Sequence, residues 1–201
     1  SVTAITNFLP ACAGLLLEEE VEHLSKVLDP ERPVAAILGF AKISGKLALM
    51  KALLDKMDFA LVGGAVVFTF LKSKGFEVGK SLVEDDELKT AKSLLEQYED
   101  KIILPVDIVV ADKKEEDANT RVVSITDIPA DMMGLDIGPG TVKLFEGTLK
   151  NAKTIVWNGP LGVFEMDKFA KGTEDIAKFI AALNGVISII GGGDTASAMV
   201  K

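Results

Sequence analysis

From residue 34 onward the chain alternates short aliphatic runs with longer segments whose apolar residues recur at helical spacing. A strand that faces water on one side alternates apolar and polar residues, whereas a strand apolar throughout is buried on both faces. Repetition of such strands with helices predicts an α/β fold of three layers, a doubly wound, mainly parallel, Rossmann-like sheet. Strands are expected at 34–38, 59–62, 102–104, 108–110, 154–157 and 186–190. Helices are expected at about 46–57, 66–74, 85–100, 141–150 and 172–183. In sheets of this kind ligands bind beyond the carboxyl ends of the strands, so the loops that follow strands are where chemistry is sought.

The first 33 residues break that rhythm. Residues 10–28 read as one long helix, apolar early and acidic later, closed by Asp29-Pro30-Glu31-Arg32-Pro33. Two prolines so close together make a rigid stop. The expected organisation is therefore 1–28 as the end of a preceding domain with a connector helix, then 34–201 as an α/β domain cut short at its carboxyl end.

Bulk properties narrow the function classes. The chain of 201 residues carries a formal charge of −8, with 48% apolar and 26% charged residues. A negative field argues against a nucleic-acid or anionic-membrane partner, but a few local lysines and backbone amides can still hold phosphate. The single cysteine, Cys12, allows no internal disulfide and no thiol-rich metal site, and its apolar neighbours predict a packed small hydrophobe. The single histidine, His23, lies in an acidic helical run and is expected on a solvated face. The acidic runs Glu84-Asp85-Asp86-Glu87 and Glu115-Glu116-Asp117 are expected to be solvated too. Without a leader sequence, a bilayer-length apolar run or a disulfide framework, the expected compartment is the cytosol.

Three segments carry chemistry. In Ile189-Ile190-Gly191-Gly192-Gly193-Asp194-Thr195 a buried strand runs into glycines and then a helix start. Glycines let backbone approach a ligand, and the free N–H groups of a helix start favour an anion. Asp194 suits a hydrated Mg²⁺ and Thr195 a phosphate oxygen; a plain strand-to-helix turn capped by Asp194 is the alternative. In Gly39-Phe40-Ala41-Lys42-Ile43-Ser44-Gly45-Lys46 the two lysines stand four apart after a strand, and in an opening helical turn they point the same way. A pair of solvated lysines is the alternative there. In Ile155-Val156-Trp157-Asn158-Gly159-Pro160-Leu161-Gly162-Val163-Phe164-Glu165 the glycines and proline build a rigid ledge. On that ledge Asn158 can bond a phosphate or water, and Glu165 can accept from a ribose hydroxyl. Met133-Gly134-Leu135 can wall a flat base or simply pack a loop. Neither Gly39 to Leu47 nor Gly75 to Ser81 has the spacing of a Walker loop, and no strand carries a G-x-G-x-x-G turn.

Together these strings resemble the phosphoglycerate kinase family. The marks are LPVD at 104–107, VADK at 110–113, DANT at 117–120, GLDIGP at 134–139, IVWNGPLGVFE at 155–165, FAKGT at 169–173 and IIGGGDT at 189–195. The resemblance implies reversible phosphoryl transfer between 1,3-bisphosphoglycerate and Mg-ADP, giving 3-phosphoglycerate and Mg-ATP. It makes Lys42 and Gly193 catalytic, Lys42 neutralising charge on the transferring group. It gives nucleotide binding to Gly39, Ala41, Lys42, Lys46, Asn158, Pro160, Gly162, Val163, Gly192, Gly193, Asp194 and Thr195. Gly134 and Leu135 would wall the adenine, Glu165 would take the ribose and Asp194 would hold Mg²⁺. It also implies a monomer, with the glycerate phosphate bound by an amino-terminal domain that these residues do not include.

The same comparison exposes departures. The lysine loop has Phe40 and Gly45 where the family pattern has Gly and Asp, and Gly63-Gly64-Ala65-Val66-Val67 stands where it has GGGMA. Lys114 replaces an aromatic. These changes leave two other readings open: a nucleotide-binding module without transfer activity, and a non-catalytic α/β scaffold.

Overall fold

A computed structural model describes residues 8–10, 12, 14–16, 18 and 30–200. The chain divides into two compact units, Ser1–Pro30 and Glu31–Lys201. In the first, Cys12 is exposed, not packed as its apolar neighbours predict. Among the described residues near it, Phe8 is 83% and Leu9 59% exposed. His23 and most of the expected connector helix lie outside the described residues.

The second unit is built on a parallel sheet of five strands. In chain order these are β1 (Val34–Gly39), β2 (Phe59–Gly63), β3 (Ile102–Ile103), β7 (Thr154–Asn158) and β8 (Ile187–Gly191), lying side by side as β3-β2-β1-β7-β8. Central β1 is buried at all six positions, as a strand covered on both faces must be. On one face Ala35, Ile37, Leu61, Ile155 and Trp157 form a core with Phe145, Leu149, Ile176 and Ile180. The last four belong to helices α4 (Pro139–Leu149) and α5 (Lys171–Ala181). The alternate residues Ala36, Leu38, Ala60 and Val62 are equally buried. Helix α1 (Leu47–Lys56) packs against β1 and α2 (Val66–Ser73) against β2, with α3 (Leu88–Gln97) on α2. A final helix, α6 (Gly193–Val200), follows β8 at once. The expected three-layer α/β class is thus realised.

One feature departs from expectation. Residues 108–110 do not join the parallel sheet; β4 (Asp107–Ala111) pairs antiparallel with β5 (Thr120–Ser124) and β6 (Met133–Ile137) in a separate sheet of order β5-β4-β6. Neither β5 nor β6 is apolar throughout, and β5 is largely exposed, so continuity of apolar residues did not mark them. Two carboxylates fasten this small sheet to the helices. Asp107 accepts the N–H of Gly140 at 2.8 Å and of Thr141 at 2.6 Å, capping α4. Asp136 accepts the N–H of Gly172 at 2.8 Å in the first turn of α5.

Candidate functional site

Strands β1, β7 and β8 end in register, with Leu38 beside Asn158 and Asn158 beside Gly191. The loops that follow open onto one cleft of about 440 Å³. The lysine loop brings Gly39, Ala41, Lys42 and Lys46 to its wall, the turn after β7 brings Asn158 and Pro160, and the turn after β8 brings Gly192, Gly193, Asp194 and Thr195. Ten of the expected site residues therefore meet, contributed by three separate segments within 39–46, 158–160 and 192–195.

The lysines converge by a different route from the expected helical turn. Helix α1 begins only at Leu47, and residues 44–46 form a turn closed by the Lys46 N–H donating to the Ile43 carbonyl at 2.9 Å. Ile43 is fully buried and anchors that turn. The turn is also held from outside: the carboxylate of Glu84 accepts the N–H groups of Ile43 and Ser44 and the Ser44 hydroxyl. Glu84 was expected in a solvated acidic run, and no local sequence signal links it to a loop 41 residues earlier. Its partial burial opposes ionisation, but these hydrogen bonds and the charge of Lys42 hold its pKa below the ordinary value. Phe40 forms part of the cleft wall yet is only 4% exposed, and the Lys46 ammonium lies 6.0 Å from the centre of its ring.

The turn after β7 is built for close approach. The indole N–H of Trp157 donates to the Gly159 carbonyl at 2.7 Å. Gly159 has φ +90°, and a Cβ there would sit 2.0 Å from the Gly39 carbonyl oxygen, so only glycine lets the β1 and β7 loops touch. Across the cleft floor, Thr195 accepts the Gly159 N–H and donates to the Gly191 carbonyl, with its side chain buried. Helix α6 starts at Gly193, so its amino end and its partial positive charge face the same cleft as Lys42 and Lys46.

Gly134, Leu135, Gly162, Val163 and Glu165 do not line this cleft. Leu135 and Val163 are neighbours, the Val163 N–H donating to the Leu135 carbonyl at 2.9 Å, and both are half-buried on a small core of Ala111, Ala118 and Phe169. Glu165 is exposed two residues further on. Gly134 is buried, and a Cβ there would strike the Phe68 ring at 2.1 Å; Gly162 is pressed against the Asp136 carboxylate. These two glycines make room for packing. Burial, assisted by Asp175 and Glu174 and opposed by amides of Gly172 and Ile137, pushes the Asp136 carboxyl up to about 7.

Among the described residues no cluster of three or more His, Cys, Asp or Glu side chains forms a metal cage. What the cleft offers is the exposed carboxylate of Asp194. An oxygen-only, nearly empty donor set fits Mg²⁺, which keeps several waters and is commonly held by one carboxylate plus substrate phosphates.

Fold and cleft define a doubly wound α/β protein with a lysine-bearing cleft at the carboxyl ends of its parallel strands. The family profile of phosphoglycerate kinase matches residues 1–201, and the chain belongs to that family. The phosphoglycerate kinase of Thermosynechococcus vestitus is 51% identical over 208 residues, an alignment spanning 100% of this chain and 52% of that protein. That of Rubrobacter xylanophilus is 52% identical over 202 residues, spanning 100% and 51%. Among solved structures, the phosphoglycerate kinase of Coxiella burnetii superposes with a TM-score of 0.90 at 42% identity, covering 94% of this chain and 50% of that one. The Pyrococcus horikoshii enzyme gives 0.80 at 28% identity, covering 93% and 48%. The chain spans about half the length of the curated relatives it matches. Among the described residues no helix is long and apolar enough to cross a membrane.

Proposed function

We propose that this chain supplies the nucleotide half of a phosphoglycerate kinase, in which a phosphoryl group passes reversibly between 1,3-bisphosphoglycerate and Mg-ADP in the cytoplasm. One observation carries the reading: two lysines, the amino end of α6 and the Asp194 carboxylate meet in one cleft at the ends of β1, β7 and β8. Phosphoryl transfer asks a protein mainly to position groups and to stabilise charge, and this equipment suits that task.

Each residue then has a physical job. Lys42 balances negative charge on the transferring group, and Lys46 holds the nucleotide phosphates. The N–H groups of Gly192 and Gly193 at the start of α6 donate to phosphate oxygens, and Thr195 lies beside them. Asp194 would hold Mg²⁺, which when bound supplies Lewis-acid neutralisation of phosphate charge. Gly39, Ala41, Asn158 and Pro160 form the backbone walls against which the phosphates rest. Leu135 and Val163, half-exposed and adjacent, give an apolar face for the base, with Gly134 and Gly162 shaping the backbone behind it; Glu165 accepts from the ribose.

The test is an amide chemical-shift titration with Mg-ADP, followed by mixing the chain with the amino-terminal half of a relative. Shifts confined to 39–46, 134–135, 158–165 and 192–195, with transferase activity only in the mixture, are the expected result. Shifts confined to other surfaces would refute the site.

A second reading, nucleotide binding without transfer, draws on Phe40 in the cleft wall. It predicts the same shifts and a mixture that stays inactive.

A further inference from the structure

Glu84 begins an acidic run, yet its half-buried carboxylate is turned back onto the lysine loop. Through Oε2 it accepts the N–H of Ile43, and that of Ser44 at 3.4 Å; through Oε1 it accepts the Ser44 hydroxyl. These partners lie 40 and 41 residues away in the chain, so the bonds fasten two separate segments together. Glu84 is itself fixed. Its own N–H donates to the Thr69 hydroxyl at 3.1 Å, and Thr69 is 1% exposed on α2. Its neighbour Asp85 pairs with Lys72, on the same helix, at 2.7 Å. Glu84 is thus anchored to α2 and reaches the lysine loop from behind.

The residues it grips sit between Lys42 and Lys46. Long cationic side chains lose rotamer entropy on ordering, so their usefulness at a cleft depends on how firmly the backbone beneath is set. Ile43 is held by burial and by Glu84, Ser44 by two further bonds to the same carboxylate, and Lys46 closes the turn on the Ile43 carbonyl. Glu84 is not among the groups that line the cleft.

We infer that Glu84 is a positioning residue: it clasps the backbone between Lys42 and Lys46, and so sets where both ammonium groups stand when a phosphorylated ligand occupies the cleft. The inference rests on the phosphate-binding reading of that cleft. Its grip on the backbone is made by hydrogen bonds, with the attraction of Lys42 the smaller contribution, and this separates two substitutions. Glu84→Ala removes the clasp. Glu84→Gln keeps an oxygen for the Ile43 and Ser44 amides and an NH₂ for the Ser44 oxygen, and loses only the charge.

Trypsin reads the clasp directly, because its bonds of attack, Lys42–Ile43 and Lys46–Leu47, flank the gripped residues. Cleavage at these bonds, normalised to cleavage after exposed Lys114, is followed by mass spectrometry in the chain and in Glu84→Ala, Glu84→Gln and the control Asp86→Asn. The clasp predicts about tenfold faster normalised cleavage in Glu84→Ala, with Glu84→Gln and Asp86→Asn within about twofold of the parent. Mg-ADP affinity, by calorimetry, follows the same order: about tenfold weaker in Glu84→Ala and near parental in the other two. If Glu84→Ala does not fold, Glu84→Gln still decides, since a Gln variant cut and binding like the parent is required. Unchanged cleavage in Glu84→Ala overturns the inference, as does an opened loop with unchanged affinity. A parent chain that binds no Mg-ADP overturns the nucleotide reading and the ligand half of the inference; the cleavage pattern alone then upholds or overturns the clasp.

Discussion

The hydroxyl of Thr195 accepts the backbone N–H of Gly159 at 2.7 Å and donates to the Gly191 carbonyl at 2.9 Å. A residue at the start of α6 therefore binds the turn after β7 to the turn after β8, and the cleft floor is one fastened unit. Any contact Thr195 makes to a phosphate has to share an oxygen that already has two partners.

This relationship predicts the effect of removing the hydroxyl without changing shape. Thr195→Val leaves the Gly159 N–H without its acceptor, and the side chain is buried. Urea unfolding is expected to show a loss of about 1–3 kcal/mol, whereas Thr195→Ser should stay within about 1 kcal/mol of the parent. Equal stabilities for Val and the parent would show that the bond is not important.

The touching loops give a harsher test. In Gly159→Ala the new methyl meets the Gly39 carbonyl, and φ +90° is costly for any side chain. Loss of at least about 3 kcal/mol, or failure to fold, is the expected outcome by thermal unfolding. Gly147→Ala, where a Cβ has open space within helix α4, should be neutral or stabilising by up to about 1 kcal/mol.

Asp107 caps α4 from the other sheet. Asp107→Ala frees the N–H groups of Gly140 and Thr141, and the Thr141 hydroxyl, which donates to the Asp107 backbone carbonyl at 2.8 Å and is placed by it, cannot replace both acceptors. Chemical denaturation should show a loss of about 1–2 kcal/mol.

Asp136 predicts a pH dependence. Its carboxyl titrates near 7 in the fold, against 3.8 for the unperturbed group, because it is buried. The native state therefore holds a proton that the unfolded chain releases. The contribution is complete below about 4 and is lost as pH rises towards 7, at up to about 1 kcal/mol per pH unit. In Asp136→Asn that slope should flatten. The variant should also be weaker than the parent at low pH, because one amide oxygen cannot serve both Ile137 and Gly172 as the two carboxyl oxygens do. An unchanged slope in a stability-against-pH series would exclude Asp136 as its source.

Part of this architecture is legible in the sequence, and the rest is not, for physical reasons. β1 and β2 announce themselves because burial on both faces leaves no polar residue in them, and β7 does so because only its two end residues, Thr154 and Asn158, are polar. The cleft is legible because Lys42, Asn158 and the glycines after β8 each stand at or shortly beyond the carboxyl end of a strand. β5 escapes notice because it is polar-ended and largely exposed, and β6 because Gly134 and Asp136 interrupt its apolar residues, so neither shares the pattern of the central sheet. Glu84, Asp107 and Asp136 escape it for another reason: each carboxylate serves amides 33 to 41 residues distant, and nothing beside it in the chain marks the partner. Phe40 looks like an obstacle in sequence, but at 4% exposure its ring is part of the wall. Replacing it with glycine would open a core cavity as well as the cleft.

The central claim is that the cleft at the ends of β1, β7 and β8 binds nucleotide phosphates through its lysines. Calorimetric titration of Mg-ADP into the chain, and into Lys42→Met and Lys46→Met, tests it most directly. The predicted result is a Kd of about 1 mM or tighter in the parent, weakened about tenfold or more by Lys46→Met and weakening further with added salt. Binding that is absent in the parent, or that survives both substitutions unchanged, would contradict it.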